Sequence, residues 1–241
     1  MQGSGGLSIF RDQHVIFTVV HWVKPAVVLA VNCMLEVLKT HADVVLVIMD
    51  SAAPDEIKDY LRTLRHDRVI METHAQNIGK AHSVNAFIAR HMHSGDVPKT
   101  VSFIDPDILF DVSHFDYLQE AVQNIERIGM LSMRYVDNGF NPERNLWFPP
   151  RKIKGKNGKI YEVTFPIFAN VCGGIFSIPG KLLAHPLQFR LFPVAFREVY
   201  GPDDAALFDT LKRSGYRCGY LNGTLATHLK SGDKYADEIN G

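Results

Sequence analysis

Cysteine is scarce in this sequence, and long apolar runs and a net charge are missing. The three cysteines among 241 residues, Cys33, Cys172 and Cys218, are too far apart for a zinc motif and argue against a disulfide framework. No apolar run reaches the roughly 20 residues that cross a bilayer, and residues 1–6 lack a signal-peptide pattern. Since 26 Lys and Arg residues balance 26 Asp and Glu residues, no overall charge attracts nucleic acid or a membrane surface. We therefore expect a cytoplasmic protein without a transmembrane segment.

Internal repeats and long linkers are also absent, and 46% of the residues are hydrophobic, which is enough for a sizeable core. Strand-like and helix-like segments alternate through the first half. The strand-like segments there are Val15–Val20, Val44–Met49, Arg68–Met71 and Val101–Ile104. This alternation predicts an α/β fold with a Rossmann-like, mostly parallel central sheet flanked by helices. Asn157-Gly158 predicts a small antiparallel hairpin in the second half, and we expect a single domain over residues 1–241.

Two carboxylates follow the last of these strands, in Asp105-Pro106-Asp107. Proline fixes its own φ and favours an extended conformation for the residue before it, so the side chains of Asp105 and Asp107 are expected to point the same way. Ligands of open α/β sheets bind beyond the carboxyl ends of the strands. Two hard oxygen ligands there suit Mg²⁺ or Mn²⁺ carrying a diphosphate. The alternative interpretation is a solvated turn that caps the next helix.

Other polar residues are placed where such a ligand could reach them. Asp50 ends the second strand, and its carboxylate could accept hydrogen bonds from a uracil imide or a ribose. In Asn77-Ile78-Gly79-Lys80, the glycine permits close approach of the backbone. Lys80 begins a helix, where a cation and free backbone N–H groups together suit a diphosphate. The plainer interpretations are a capping Asp50 and a glycine turn with Lys80 in solvent.

An acidic pair and a histidine complete the set of candidates in the second half. Asp203-Asp204 precede a helix; one acid can cap it, and the other can act as a general base because adjacent like charges raise one pKa. His228 follows the last predicted strand, Tyr216–Leu221, and imidazole is a reasonable ligand for Mn²⁺ beside carboxylate oxygens. A packed or solvent-exposed histidine is the alternative.

In their order along the chain, these motifs resemble those of the inverting, nucleotide-sugar-dependent glycosyltransferases of family 2, which have the GT-A fold. The resemblance extends over residues 15–230. The matching positions are Asp50, then Asn77, Gly79 and Asn85, then the Asp-x-Asp motif of Asp105 and Asp107, then Gly173-Gly174, then Asp203-Asp204 through Gly215-Tyr216, and finally His228. The resemblance implies a nucleotide-binding half at residues 7–110 and an acceptor-binding half at residues 111–241.

The resemblance also implies a role for each residue in a metal-dependent transfer of sugar, with inversion, from a UDP-sugar to an acceptor hydroxyl. Asp204 would be the catalytic base, and Mn²⁺ or Mg²⁺ would be the cofactor. The implied nucleotide-sugar-binding residues are Trp22, Asp50, Asn77, Lys80 and Asp105, the acceptor-binding residues are Gly173, Gly174 and Asp203, and the metal ligands are Asp107 and His228.

The sequence departs from the family at two of these positions. The first strand of the family is usually followed by Pro or Thr and then Tyr-Asn, whereas here it is followed by His21-Trp22-Val23, with Trp22 in the place of the aromatic residue that stacks on the base. The acidic pair is commonly Glu-Asp, and Asp203 is shorter than Glu.

Three other functions share parts of this pattern. A retaining GT-A glycosyltransferase would have the same metal site but a different role for Asp204. A sugar nucleotidyltransferase would carry a glycine-rich triphosphate loop after the first strand, and residues 20–25 contain no glycine. A non-catalytic nucleotide-sugar-binding module would not need the acidic pair.

The predicted hairpin carries five basic residues within residues 151–159 and has no counterpart in the family pattern. They are Arg151, Lys152, Lys154, Lys156 and Lys159. One interpretation is a soluble, exposed hairpin. The other is a flap that attracts an anionic acceptor.

Overall fold

The fold was examined in a computed structural model, which describes residues 10–20, 24–93, 96–136, 148–166, 174–193 and 203–229. Strands and helices alternate in the first half of the chain, whereas several strands follow one another in the second half. The strands are β1 (His14–Val20), β2 (Val44–Ser51), β3 (Val69–His74), β4 (Thr100–Ile104), β5 (Ile108–Phe110), β6 (Ile128–Val136), β7 (Arg151–Lys154), β8 (Ile160–Thr164), β9 (Ile175–Pro179) and β10 (Arg217–His228). The helices are α1 (Lys24–Thr40), α2 (Asp55–Thr63), α3 (Lys80–His91), α4 (Val112–Asn124), α5 (Lys181–Ala184) and α6 (Asp203–Arg213). None of the helices in these ranges is long and apolar enough to cross a membrane.

The strands form one sheet in the order β3-β2-β1-β4-β9-β6-β10-β8-β7, and β5 pairs with β10 beside this path. The pairings make β1, β2, β3, β4, β6, β7 and β10 run in one direction and β5, β8 and β9 in the other. The predicted α/β fold with a mostly parallel sheet is confirmed. Because β1, β2, β4 and β10 share a direction, the segments that follow them meet at one edge of the sheet, which we call the carboxyl edge.

Helices cover both faces of this sheet. One core includes Val31 and Met34 of α1 and Leu118 of α4, and the other includes Phe87 of α3 and Leu211 of α6. Every residue of β1, β2 and β4 is buried. Strands buried on both faces have nearly continuous apolar sequences, which is why these three could be recognised from the sequence.

The last strand is longer than predicted. We expected it to end at Leu221, but β10 continues to His228 and changes register against β6 between Leu221 and Leu225. At this irregularity Gly223 has a φ of 83°, a conformation that glycine adopts without steric cost. The polar Asn222-Gly223-Thr224 interrupts the apolar pattern and therefore looked like a strand end. The extension carries His228 to the carboxyl edge.

The hairpin of β7 and β8 lies against α4. Its tip is fixed there by Asn157 Nδ2, which donates to Glu120 Oε1 at 3.0 Å, and by Lys159 Nζ, which lies 2.6 Å from the same carboxylate oxygen. The amide of Lys156 donates to the carbonyl oxygen of Asn124, the last residue of α4, at 2.9 Å. Since α4 leads away from the carboxyl edge, these contacts hold the tip at the other end of the sheet and do not support the flap interpretation.

A network of buried polar side chains connects β1, β4 and β9 to α4. His14 Nδ1 lies 2.7 Å from Thr100 Oγ1, which donates to Gln119 Oε1. Gln119 Nε2 in turn donates to Ser102 Oγ and Ser177 Oγ at 3.0 and 2.8 Å. A buried polar group is costly unless it is hydrogen-bonded, so this network satisfies the polar groups beneath α4.

The histidine of this network gives stability a pH dependence. Burial lowers the pKa of His14 below its ordinary value, so the folded chain binds this proton less well than the unfolded chain. Stability contributed by neutral His14 is present above about pH 6.5 and is lost as the pH falls below it. We expect the free energy of unfolding, measured by thermal denaturation, to fall less steeply from pH 7 to pH 5 in His14→Gln than in the wild type. The difference is at most about 1.4 kcal/mol per pH unit. His82→Gln, at an exposed position, is the control; equal slopes for all three proteins would contradict this prediction.

Candidate active site

A lysine and two carboxylates meet at the carboxyl edge. Lys80 is the first residue of α3, and its Nζ lies 3.1 Å from Asp204 Oδ1 and 3.8 Å from Asp105 Oδ1. Asp105 follows β4 and Asp204 lies in the first turn of α6. A cation at a helix N-terminus is unfavourable against the helix dipole. The two carboxylates compensate for this placement, and the interpretation of Lys80 as a solvent-exposed residue is wrong.

The protonation of this cluster is shifted from ordinary values. Burial, together with the charges of Asp204 and Asp107, raises the pKa of Asp105 to about 7 although Lys80 opposes the shift. Burial alone would lower the pKa of Lys80, but Asp105 and Asp204 outweigh it and hold this pKa above the ordinary value. Lys80 is therefore a permanent cation, whereas Asp105 can carry or release a proton near neutral pH. Perturbed pairs of this kind are typical of functional sites.

Two phenylalanine rings make cation–π contacts with the ammonium group of Lys80. Its Nζ lies 5.0 Å from the ring centroid of Phe103 and 5.6 Å from that of Phe192, and the two rings meet edge to face at 5.4 Å. Phe192 is held by Asn85 of α3, whose Nδ2 donates to the Phe192 carbonyl oxygen at 2.7 Å and whose Oδ1 accepts from the Phe192 amide at 3.1 Å. The sequence analysis did not identify Phe192. The sequence feature that could have pointed to such a contact is Asn85, since asparagine is unfavourable in the interior of a helix.

The two hydrogen bonds of Asn85 give a prediction about stability. Asn85→Leu removes both and leaves a backbone donor and acceptor of Phe192 without this partner, so we expect it to lower the free energy of unfolding by about 1–3 kcal/mol. Chemical denaturation measures this loss. His82→Leu, at an exposed position of the same helix, should change stability much less. A loss no larger than that of this control would show that the segment at Phe192 does not depend on Asn85.

Asp107 and His228 form a second pair beside this cluster. Asp107 Oδ2 lies 3.0 Å from His228 Nε2, and the Leu229 amide donates to the Asp107 carbonyl oxygen at 2.7 Å. Asp105 to Asp107 do not form the extended segment that we predicted. The Ile108 amide donates to the Asp105 carbonyl oxygen at 3.2 Å and closes a turn, because β5 begins directly at Ile108. Asp105 thereby contacts Lys80, while Asp107 contacts His228.

The chemistry of the Asp107–His228 pair fits a divalent cation. Carboxylate oxygen and imidazole nitrogen are suitable ligands for Mn²⁺. Asp107 Oδ2 and His228 Nε2 contact each other directly at 3.0 Å, so both side chains could bind one ion. Within the described ranges, no group of three or more His, Cys, Asp or Glu residues is arranged to hold a metal ion. A bound molecule or water could supply further ligands.

The acidic pair at the start of α6 divides into a buried and an accessible member. Asp203 is 5% exposed, and burial raises its pKa. The side chain of Asp204 is 29% exposed and contacts Lys80. Asp204 is therefore more accessible than Asp203 to a second substrate.

Gly174 brings a tyrosine close to Asp105. A Cβ on Gly174 would lie 2.7 Å from Tyr135 Oη and 3.4 Å from Asp105 Oδ2, so a side chain there would displace the tyrosine. The Gly174 carbonyl oxygen accepts from the Asp105 amide at 2.7 Å, and Tyr135 Oη accepts from the Ile175 amide at 2.6 Å. Tyr135 was not identified from the sequence, because it lies in a strand where an aromatic residue needs no functional explanation.

The remaining candidates have local hydrogen bonds at the carboxyl edge. Asp50 is 5% exposed, and its Oδ1 accepts from the Ala53 amide at 2.7 Å. Asn77 Oδ1 accepts from Ser51 Oγ at 3.1 Å and from the Gly79 amide at 2.9 Å. These bonds shape the turns that follow β2 and precede α3. They do not connect Asp50 or Asn77 to Lys80, so nucleotide binding by both stays a prediction.

Two predicted site residues, Trp22 and Gly173, lie outside the described residues. Their roles also stay predictions.

Comparisons with known proteins were made by sequence and by structure. No protein-family model matches the sequence, and no curated protein sequence is significantly similar to it. The structure is similar to that of the mannosyltransferase PcManGT from Pyrobaculum calidifontis in complex with GDP-Man and Mn²⁺, with a TM-score of 0.65 and 17% identity over 95% of this chain and 60% of that one. It is also similar to GalNAc-T7 with UDP, GalNAc and Mn²⁺, with a TM-score of 0.60 and 9% identity over 91% of this chain and 44% of that one.

These similarities show the fold. The chain has the GT-A fold that the resemblance implied. It spans 60% and 44% of the length of the two solved chains.

Proposed function

We propose that this chain is a metal-dependent glycosyltransferase that moves a sugar from a nucleotide-sugar donor, a UDP-sugar, to an acceptor hydroxyl with inversion. The observation that carries the proposal is the meeting of Asp105, Lys80 and Asp204 beside the Asp107–His228 pair at the carboxyl edge. A cation, a metal-binding pair and an accessible carboxylate are the groups that such a transfer needs. The GT-A fold, and the nucleotide sugars and Mn²⁺ named for the two similar structures, support the same conclusion.

The donor lies along the carboxyl edge in this proposal. Asp50 reads the uracil or the ribose, Asn77 contributes from the turn before α3, and Trp22 stacks on the base. Asp105 accepts a hydrogen bond from the ribose. Lys80, a permanent cation beside a helix N-terminus, attracts the diphosphate.

Asp107 and His228 hold Mn²⁺ or Mg²⁺ in this proposal. The ion, when bound, neutralises the negative charge that develops on the leaving diphosphate. His228 would bind the ion through the lone pair of Nε2, which requires a neutral imidazole. In this proposal the ribose contact, Asp105, and the metal ligand, Asp107, belong to the same turn.

Asp204 takes the proton of the acceptor hydroxyl. The acceptor oxygen then forms a bond to the anomeric carbon from the face opposite the diphosphate, the bond to the diphosphate oxygen breaks, and its electron pair leaves with UDP. Gly173 and Gly174 contribute to the acceptor site in this proposal, and Asp203 supports acceptor binding. The proton of the hydroxyl ends on the Asp204 carboxylate.

A retaining glycosyltransferase is the second candidate. The observation that favours it is the contact of Asp204 Oδ1 with Lys80 at 3.1 Å. This ion pair gives the carboxylate a positioning role that needs no proton transfer. In a retaining enzyme Asp204 would position Lys80 or the sugar and would take no proton.

The proposal is tested by a thermal-shift panel of UDP-, GDP-, CDP- and dTDP-sugars with and without Mn²⁺. A ligand that binds only the folded state raises the unfolding temperature by mass action. We expect the largest increase with a UDP-sugar and Mn²⁺ together, followed by transfer of the sugar to an acceptor. A preference for a GDP-sugar would refute Asp50 as a uracil reader, and an absence of any metal-dependent shift would refute the donor site itself.

A further inference from the structure

A basic cavity lies at the edge of the sheet opposite the carboxyl edge. Its volume is about 430 Å³, and it lies among the segment before β4, the end of β9, the turn between α4 and β6, and the tip of the hairpin. Lys99 precedes β4 whereas Asp105 follows it, so the cavity and the candidate active site are at opposite ends of this strand. The cations that line it are Lys99, Arg127, Lys156 and Lys181, and the lining also contains Glu126.

Three of these cations have no carboxylate partner among the described residues. Lys99 Nζ lies 2.8 Å from Asp43 Oδ2. Elsewhere on the hairpin, Lys152 lies 3.7 Å from Glu162 and Lys159 lies 2.6 Å from Glu120. Within the described part of the chain, no such ion pair involves Arg127, Lys156 or Lys181. Three separate segments thus bring unpaired cations to a lining in which Glu126 is the one acid among the described residues.

The backbone at two of these cations is fixed. The Lys156 amide donates to the Asn124 carbonyl oxygen at 2.9 Å, and the Gly155 amide donates to the Lys159 carbonyl oxygen at 2.8 Å. Arg127 has a φ of 55°, which is a strained conformation for a residue other than glycine. Its carbonyl oxygen accepts from the Arg217 amide at 2.8 Å.

We propose that this cavity binds a phosphate group, either of a soluble phosphate compound or of an anionic lipid. Lysine and arginine form strong, charge-assisted hydrogen bonds with phosphate oxygens, and a multiply charged anion is the ligand that several unneutralised cations favour. The site is separate from the proposed donor site, so both can be occupied together. The proposal does not rest on the proposed function.

The test uses isothermal titration of inorganic pyrophosphate in low salt with EDTA, which prevents metal-dependent binding at Asp107 and His228. Lys156→Glu combined with Lys181→Glu reverses two cations of the cavity. Arg151→Glu combined with Arg213→Glu gives the same change of net charge at exposed positions outside the lining. We expect the first double variant to bind at least about tenfold more weakly than the wild type, because it loses two charge-assisted contacts. The control should bind nearly as well as the wild type.

A second arm distinguishes the two sources of phosphate. Each protein is sedimented with phosphatidylcholine vesicles that contain or lack phosphatidic acid. If the wild type sediments with the anionic vesicles and only the cavity variant fails to do so, the ligand is a lipid headgroup. If the wild type binds pyrophosphate but does not sediment with these vesicles, the ligand is a soluble compound. Equal behaviour of the two double variants toward both probes, or no binding of either probe by the wild type, would overturn the proposal. Unchanged unfolding temperatures confirm that both variants are folded.

Discussion

Asp204→Asn should lower kcat by roughly 10²–10⁴-fold, the usual contribution of a positioned general base. Asparagine keeps the shape of the side chain, and its oxygen can still accept from Lys80, which contacts Asp204 Oδ1 at 3.1 Å. The basicity is lost while the cluster stays assembled. Donor affinity, measured by titration with a UDP-sugar and Mn²⁺, should therefore change little, and the loss should appear in the rate of sugar transfer.

The control for this variant is Asp209→Asn, at an exposed position of the same helix and outside the proposed site. It should lower kcat less. A fully active Asp204→Asn would move the base to Asp203 or to another residue. The anomeric configuration of the product, measured from NMR coupling constants, is an independent test. A retained configuration would exclude Asp204 as the base of an in-line displacement, even if Asp204→Asn were inactive.

Asp107→Ala should weaken Mn²⁺-dependent donor binding by at least about 100-fold, since a metal ion supplies several kcal/mol of charge stabilisation. His228→Ala should weaken it less, because the carboxylate and the diphosphate would still bind the ion. Titration of the donor with Mn²⁺ and with EDTA separates the metal-dependent part. Asp209→Ala, at an exposed position of α6, removes one carboxylate elsewhere and should bind like the wild type. An unchanged Mn²⁺-dependent affinity in folded Asp107→Ala would refute the metal site.

The parts of the fold that were predictable have local causes. The apolar sequences of β1, β2 and β4 follow from burial on both faces. The start of helix α3 at Lys80 follows from the glycine turn before it, where Gly79 has a φ of 79°. Gly79 takes this conformation without steric cost. Sequence patterns of this kind depend on neighbouring residues alone, so they can be recognised before the structure is known.

The contacts within the candidate site have distant causes. Phe192 reaches Lys80 only because Asn85 binds its backbone, and Tyr135 lies against Gly174 only because Gly174 has no side chain. Neither aromatic residue lies in a recognisable motif. The motifs identified Asp105 and Lys80, whereas the residues that surround them depend on how separate segments pack.

The two outer strands of the sheet differ in how they resist the addition of a strand from another molecule. On β7 the exposed Arg151, Lys152 and Lys154 present like charges, and a second copy of this strand would meet repulsion, which is a common protection against aggregation. On β3 the side chain of Met71 is 45% exposed, and Glu72 is paired with Arg90 of α3. Of the two edges, β3 is therefore the one at which copies of this chain could pair at high concentration.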